Sequence, residues 1–371
     1  MVLRERALCP EGKATDFLRL VMRFSIALIS IFLMSANPGT APTSELRSQQ
    51  RANSETSSSP ELAKVRELIE KAKFDAAENE VRQYIARHPQ SPDGHFLLGL
   101  ICFRQVQSQA RSSGTYLAPG ELPSTAIDVG ARDARVRASL AAFTEGGKFG
   151  RPSAFDLKIV SLDYILLADY SSADKWLTLA LQWDPGDAEA WYYLGRTKYN
   201  ENRFEEAIRA FQKCLDLRSQ FVLAADGIGL SQAGLGRNAD AITSLQKAIS
   251  MQQNFVQKTP EPYIDLGDFF NQQARFDEAM SVLQQAVTIA PRNIRAHEAL
   301  GKAYLNLNRL PEAQHELEIA VSIDRDVPAL HYLLGQIYRK EGHLDQAKAE
   351  LERFQALKAK EVPAKSGTPL Q

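Results

Sequence analysis

The sequence predicts an all-α fold built as a solenoid of stacked helix pairs, and two recurring features carry this prediction. Alanine recurs at intervals of 34 residues, with one interval of 38, at Ala173, Ala207, Ala241, Ala279, Ala313 and Ala347. A pair formed by an apolar residue and a glycine recurs at the same intervals, at Leu194-Gly195, Ile228-Gly229, Leu266-Gly267, Leu300-Gly301 and Leu334-Gly335. Each unit holds two helical runs around a short polar turn. One helix pair cannot bury its own apolar face, so consecutive pairs must stack on each other.

Composition excludes several classes of protein. The chain has 371 residues, with 44 Lys plus Arg against 45 Asp plus Glu, and a net charge of −1. Nucleic-acid binding depends on an excess of basic residues, so no nucleic-acid partner is expected. Three cysteines exclude a disulfide scaffold and a cysteine-rich metal cluster. An apolar fraction of 44% excludes disorder of the whole chain.

The repeat resembles the tetratricopeptide repeat (TPR) family. The segment 188–221 matches the family pattern at Trp191, Leu194, Gly195, Ala207 and Phe211. The resemblance covers residues 58–361 and implies a TPR-type α–α superhelix, a right-handed solenoid of about eight repeats. The eight units span residues 58–91, 92–153, 154–187, 188–221, 222–255, 260–293, 294–327 and 328–361.

The N-terminal segment predicts export. Residues 24–36 read FSIALISIFLMSA, an uncharged run that follows Arg19 and Arg23. Its length suits the apolar region of a signal peptide better than a bilayer span of about 20 residues. We therefore expect residues 1–41 to be a signal peptide or an N-terminal anchor, with translation starting at Met22. The protein is then periplasmic, or anchored in the inner membrane by residues 24–36.

Two further segments are expected to be flexible. Residues 42–60 are rich in Ser, Thr and Pro and nearly lack large apolar residues, so they read as a disordered linker. Residues 362–371 read as a flexible tail.

The second unit is 28 residues longer than the others, and the insert is best placed at 106–133, between its two helices. Long loops in compact folds are often functional. In unit three, the positions that line the groove in the TPR family carry Phe155, Leu162, Ile165 and Leu166. One hypothesis is that the insert covers this apolar groove as a lid, and the alternative is a disordered loop.

The groove positions of the later units are polar and aromatic. The resemblance implies groove residues at positions 2, 5, 9, 12 and 13 of each unit. Mixed aromatic, amide and charged side chains suit an extended peptide, and the alternative is an ordinary solvated helix face. The predicted partner-binding residues beyond unit three are Tyr192, Arg196, Tyr199, Asn200, Asp268, Asn271, Lys302, Asn306, Tyr332 and Arg339.

No catalytic, cofactor-binding or metal-binding motif is predicted. His95, His297 and His331 all fall at position 4 of their units, an aromatic packing position, and lie at least one repeat apart. The glycine-rich stretch at 227–234 fails the dinucleotide-binding pattern because Gln232 replaces the last glycine. Cys102 and Cys214 are expected to be free, buried thiols.

The sequence therefore predicts a non-catalytic scaffold or adaptor in the cell envelope that holds a protein or peptide segment in its groove. The competing prediction is an accessory subunit for the assembly or export of polysaccharide or another envelope polymer, because Tyr192 and Tyr199 beside Arg196 and Asn200 suit sugar binding as well. A membrane contact is expected only through the N-terminal segment, if it is uncleaved.

Overall fold

The computed structural model of the chain describes residues 59–112 and 129–361, which form sixteen α-helices and, within those ranges, no strand. The helices are α1 (Pro60–Glu70), α2 (Phe74–Arg87), α3 (Pro92–Ser112), α4 (Val129–Gly147), α5 (Ala154–Leu166), α6 (Tyr170–Trp183), α7 (Ala188–Asn200), α8 (Phe204–Leu217), α9 (Val222–Gly234), α10 (Asn238–Met251), α11 (Glu261–Gln272), α12 (Phe276–Ile289), α13 (Ile294–Asn306), α14 (Leu310–Ile323), α15 (Pro328–Glu341) and α16 (Leu344–Glu361).

The chain divides into two compact units, residues 1–71 and 72–371. The described part of the first unit is α1, which begins at Pro60 after Ser59. The Ser59 side chain accepts a hydrogen bond from the backbone N–H of Glu61 at 3.3 Å and so caps the helix. The second unit holds α2 to α16.

Within the second unit, the first helix of each pair (helix A) packs against its partner (helix B) and against the helix A of the next repeat. The A helices are α3, α5, α7, α9, α11, α13 and α15. Among the described helices, consecutive B helices make no comparable contact. The A helices therefore lie closer together and line the concave face. The predicted all-α TPR superhelix is confirmed.

Seven turns between an A and a B helix each contain one residue with positive φ. These residues are 34 to 38 positions apart, except between Ala72 and Ala168, where the long second repeat (92–153) intervenes. Left-handed backbone is favourable for glycine and asparagine and costly for other residues. Three of the seven are nevertheless alanine. The residues are Ala72, Ala168, Asn202, Gly236, Ala274, Asn308 and Gly342, with φ between 52° and 81°.

The apolar core of the second unit is divided into two large clusters. One extends from Phe96 to Ala224 and includes Leu177 and Phe211. The other extends from Ala241 to Ile337. The alanines that reveal the repeat, such as Ala207 and Ala241, are fully buried where helices A and B approach.

The boundaries predicted for the insert are wrong. Residues 106–112 belong to α3 and residues 129–133 belong to α4. Val106 is only 4% exposed, so apolar packing extends α3 beyond the length of a standard TPR helix. The remaining insert residues, 113–128, lie outside the described residues. The lid hypothesis concerns these residues and therefore stays a prediction.

The predictions for the chain ends also fall largely outside the described residues. These are the signal peptide or anchor at 1–41, the linker at 42–60 up to residue 58, and the tail at 362–371. Among the helices that are described, none combines the length and the apolar character needed to cross a membrane.

Candidate functional site

A cavity of about 540 Å³ opens on the concave face between α7, α9, α11 and α13. Most of its wall comes from one face of the first three of these helices, with Phe211 of α8 and Asn238 of α10 behind them and Arg295 of α13 at one side. Stacked A helices place the same positions of successive repeats side by side. A continuous wall therefore forms from residues that are about 34 apart in the sequence.

Five of the predicted groove residues line this cavity: Tyr192, Arg196, Tyr199, Asn200 and Asp268. Their positions in the repeat are 5, 9, 12 and 13 in unit four and 9 in unit six. In unit five the same positions supply Asp226, Leu230, Ala233 and Gly234. The groove positions implied by the TPR resemblance thus converge on one surface in three consecutive repeats.

Four carboxylates dominate the polar part of the wall. Asp226 comes from α9, and Glu261, Asp265 and Asp268 come from α11. Arg295 of α13 pairs with two of them. Its Nη2 lies 2.9 Å from Oδ1 of Asp265 and 3.6 Å from Oδ2 of Asp268. One arginine from α13 therefore balances part of the charge of α11.

Asp226 is the most enclosed of these acids. Its side chain is 5% exposed, and its Oδ1 has no hydrogen-bond partner. Its carboxyl shares a hydrogen bond with that of Asp265, which requires a proton on one of the two. Burial, the charge and hydrogen bond of Asp265, and the charge of Glu261 raise the pKa of Asp226 well above its usual range, against the opposing charge of Arg295.

The same environment acts on its neighbours. Burial raises the pKa of Asp268 to about 6, and the positive charge of Arg295 opposes that rise. Burial, with the charges of Asp265 and Asp226, also raises the pKa of Tyr199. Burial and the neighbouring acids of the cavity therefore oppose ionisation of each of these groups.

The opposite wall is aromatic. The Tyr192 ring is only 4% exposed and packs against Phe221 and Phe211, with ring centroids 4.9 and 5.9 Å away. Tyr199 makes an edge contact with Phe204 at 5.6 Å. The guanidinium of Arg196 lies 5.9 Å over the Tyr192 ring. These contacts hold the rings of Tyr192 and Tyr199 in defined positions.

The apolar groove predicted in unit three is mostly core. Leu162 and Ile165 are 7% and 4% exposed and belong to the larger N-terminal cluster, with Leu166 packed against it. Only Phe155 is exposed, at 44%. Leu162 and Ile165 were predicted to line the groove, but neighbouring helices bury both side chains in the core.

Apart from Asp268, the predicted residues of units six to eight do not line the cavity. The side-chain amide of Asn271 donates to the carbonyl of Ala299 at 3.0 Å and so links α11 to α13. Lys302 pairs with Glu298 one turn earlier at 2.6 Å. Asn306 is exposed and donates to the carbonyl of Lys302. The first of these contacts is structural, and the others lie along the exposed face of α13.

The last two predicted groove residues lie on α15. The Tyr332 ring, 45% exposed, lies 5.3 Å from that of Phe354 in α16. Arg339 is exposed at a shallow depression beside α16. Both are separate from the cavity wall.

Glu261, Asp265 and Arg295 line the cavity but are not among the predicted groove residues. Glu261 and Arg295 occupy position 2 of units six and seven, which is one of the groove positions of the repeat. Asp265 occupies position 6, which is outside that set. The repeat register therefore identifies two of the three.

No group of His, Cys, Asp and Glu within the described ranges is arranged to hold a metal ion. Cys102 and Cys214 are free and buried, as expected. Burial raises the pKa of the Cys102 thiol to about 11 and that of Cys214 to about 12, so both are unreactive at neutral pH.

Comparison with known proteins agrees with this architecture. Four models of the tetratricopeptide repeat match the chain and together span more than half of it: at residues 270–337, at 188–221, at 62–110 with 227–294, and at 328–361.

Among curated proteins, the peroxisomal targeting signal receptor of Kluyveromyces lactis is 39% identical over 74 residues, which are 20% of this chain and 13% of the receptor. The PEX5-related protein of Homo sapiens is 24% identical over 172 residues, which are 35% of this chain and 28% of that protein. The chain therefore matches less than a third of the length of either relative.

Among solved structures, yeast Tom70 superposes with a TM-score of 0.55 at 14% identity, covering 76% of this chain and 55% of Tom70. A chain of the APC/C hetero-tetramer Cut9–Hcn1 superposes with a TM-score of 0.52 at 16% identity, covering 81% of this chain and 53% of that chain. At these identities the likeness concerns the fold alone.

Proposed function

Because the chain belongs to the tetratricopeptide repeat family, we propose that it is a non-catalytic scaffold that holds an extended segment of a partner protein against the concave face of α7, α9, α11 and α13. The observation that carries this proposal is the single cavity wall formed by groove positions of three consecutive repeats. Side chains from separate repeats converge there on a surface that no single repeat contains.

The spacing of the helices suits an extended peptide. Packed helices lie 8–10 Å apart, and an extended chain advances about 3.3 Å per residue. About three peptide residues therefore pass each A helix, so the cavity spans a segment of roughly ten residues. The Kluyveromyces lactis relative is named as a receptor for a targeting signal, which fits recognition of a short segment.

The polysaccharide alternative is less well supported. Sugar stacking requires an accessible aromatic face, yet the Tyr192 ring is buried against Phe221 and Phe211. Tyr199 is half-buried, with Phe204 at its edge. The aromatic residues form a wall rather than a stacking platform.

The cellular location is part of the proposal. The uncharged segment 24–36 behind Arg19 and Arg23 supports export to the periplasm, or anchoring in the inner membrane by that segment. Cell fractionation with N-terminal sequencing of the mature chain tests both. A mature protein that starts after residue 36 means cleavage, and a cytosolic protein with an intact N-terminus contradicts export.

Site-specific photocrosslinking in cells tests the binding function. A photoreactive amino acid replaces exposed Asn200 in the cavity or, as a control, exposed Lys213 on helix B of the same repeat. Lys158 and Lys198 are unsuitable positions for the photoreactive amino acid because their side chains are 10% exposed and ion-paired with acids.

We expect recurring adducts from position 200 that are absent from position 213, with the crosslinked peptides mapping to one short segment of each partner. Equal adducts from both positions, or none from position 200, contradict a groove-based scaffold. Binding of a soluble envelope polysaccharide with no protein adduct supports the alternative instead.

A further inference from the structure

Four acidic side chains meet in this cavity, more than the binding of a peptide backbone requires. Asp226, Glu261, Asp265 and Asp268 face it together, and Arg295 reaches it from α13. Resting on the proposed function, we propose that the cavity selects a basic side chain, lysine or arginine, at one position of the bound peptide. The four carboxylates are the recognition element.

The arrangement of Asp226 and Arg295 shows where that side chain would sit. Arg295 contacts Asp265 and Asp268 and is half exposed at the side of the cavity. Asp226 lines the same cavity, and its buried Oδ1 has no hydrogen-bond donor. An orphaned buried carboxylate oxygen is costly, and an incoming N–H donor removes that cost. A cationic donor adds attraction, since charge-assisted hydrogen bonds are the stronger kind.

The chemistry of the wall favours an organic cation over a metal ion. No cluster in the described part of the chain has the arrangement of a metal site. The half-buried Tyr199 side chain supplies aromatic surface beside the acids. The alkyl stem of lysine or arginine packs on such surface while its charged end reaches the carboxylates.

Peptide selection tests the proposal with the full purified chain. A displayed library of random 12-residue peptides is selected for binding, and the affinity of the best peptide is measured by calorimetry. A second peptide carries norleucine in place of the selected lysine, or citrulline in place of arginine. The protein variants are Asp226→Asn and Glu261→Gln, with Asp277→Asn, an exposed acid outside the cavity, as the matched control.

We expect one position of the selected peptides to be lysine or arginine and the neutral analogue to bind about tenfold more weakly. Asp226→Asn keeps the shape of the side chain but cannot ionise beside a bound cation, so the variant should fold and lose part of this preference. Glu261→Gln should reduce the preference and Asp277→Asn should leave it intact.

The outcomes separate this inference from the function on which it rests. If no peptide is selected, both fail. If peptides bind but no basic position emerges, or the neutral analogue binds equally well, this inference fails and the peptide-binding scaffold stands. A lysine preference that persists equally in Asp226→Asn and Glu261→Gln places the basic side chain elsewhere and overturns the assignment.

Discussion

The imidazole of His297 lies between two acceptors: its Nδ1 is 2.6 Å from Oε2 of Glu316, and its Nε2 is 2.9 Å from the carbonyl oxygen of Pro291. The same contact joins His331 and Glu350 one repeat later, at 2.6 Å. Both histidines are almost fully buried. A doubly protonated ring donates to both acceptors, whereas a neutral ring leaves one of them without a donor.

In four repeats, the residue at position 4 links the repeat to the turn before it. In four repeats a ring nitrogen at this position contacts the carbonyl oxygen six residues earlier, whether the residue is histidine or tryptophan. The packing role predicted for these histidines is therefore accompanied by a specific polar contact. The pairs are His95 with Pro89, Trp191 with Pro185, His297 with Pro291, and His331 with Arg325.

Glu316→Gln should make stability less dependent on pH. Burial lowers the pKa of His297, but the hydrogen bonds to Glu316 and to the Pro291 carbonyl outweigh it and raise the pKa overall. A raised histidine pKa contributes stability below about pH 6.5, the value of the unfolded chain, and loses it as pH rises through the folded value. We expect Glu316→Gln to cost about 1–2 kcal/mol at pH 6 and clearly less at pH 9, in urea unfolding.

Glu318→Gln is the control. Glu318 is exposed on the same helix, and its substitution removes the same charge. Its effect should be small at both pH values. An equal loss at pH 6 and pH 9 in Glu316→Gln would show that the pair is not an imidazolium–carboxylate pair.

Gly227→Ala should destabilise the compact unit formed by residues 72–371. A Cβ at residue 227 would lie 2.5 Å from the ring of Phe211, which is also covered by Gly195 from its own repeat. Phe211 is 1% exposed, so the ring has little room to move. Overpacking of this kind costs about 1–3 kcal/mol.

Phe211→Leu tests the cause. The equivalent position in the next three repeats is leucine, as at Leu245 and Leu283. The double variant should lose less stability than the sum of the two single variants, because leucine leaves room for the added methyl group. Gly147→Ala, where an added Cβ meets nothing within 4 Å, should be close to neutral. Additive losses in the double variant would contradict the steric explanation.

Ala274→Gly should stabilise the protein. Ala274 has φ of 55° in the turn before α12 and is exposed, so glycine removes backbone strain without removing packing. We expect a gain of about 0.5–1 kcal/mol after the entropic cost of glycine, measured by urea or thermal unfolding. Ala239→Gly, in the first turn of α10, should have the opposite sign, because glycine is a poor helix former. A loss of stability in both variants would show that the turn carries no strain.

Binding of a basic peptide should strengthen as pH rises from 5 to 8. The pKa of Asp268 is raised to about 6, so its carboxyl gains charge over this interval, whereas Asp226, whose pKa is raised well above its usual range, ionises later than an ordinary aspartate. A cationic side chain binds the ionised forms more tightly and so gains affinity with pH. The other ionisable groups around these two acids are Glu261, Asp265, Arg295, Arg196, Tyr192, Tyr199, Glu298 and Lys302.

Calorimetry at pH 5 and pH 8 checks this expectation, with the norleucine peptide as the control. We expect the lysine peptide to gain several-fold in affinity and the control to change little. A lysine peptide whose affinity is the same at both pH values would mean that Asp268 does not contact it.

Much of the fold was predictable because the repeat is a regular packing pattern. Small residues at Ala207 and Ala241 and the apolar-glycine pairs report the close approach of helices A and B directly. Groove positions follow from the same register, which is why Tyr192, Asn200 and Asp268 meet in one cavity.

The parts that were not predictable depend on neighbours that are distant in sequence. Position alone does not show that Leu162 is buried by adjacent helices, or that the Asn271 amide is occupied by the carbonyl of Ala299. Arg295 reaches the acids of α11 from the following repeat, 30 residues beyond Asp265. The insert boundaries were missed because α3 and α4 are longer than the repeat pattern implies.

The break in the apolar core has a mechanical consequence. One cluster ends at Ala224 and the other begins at Ala241, and the cavity wall takes Tyr192 and Phe211 from the first and Phe269 from the second. A smaller apolar cluster of Val222, Ala225 and Ala248 joins α9 to α10 between them. A segment seated in the cavity touches residues of both large clusters, so its binding energy adds to the contacts that hold the two parts together.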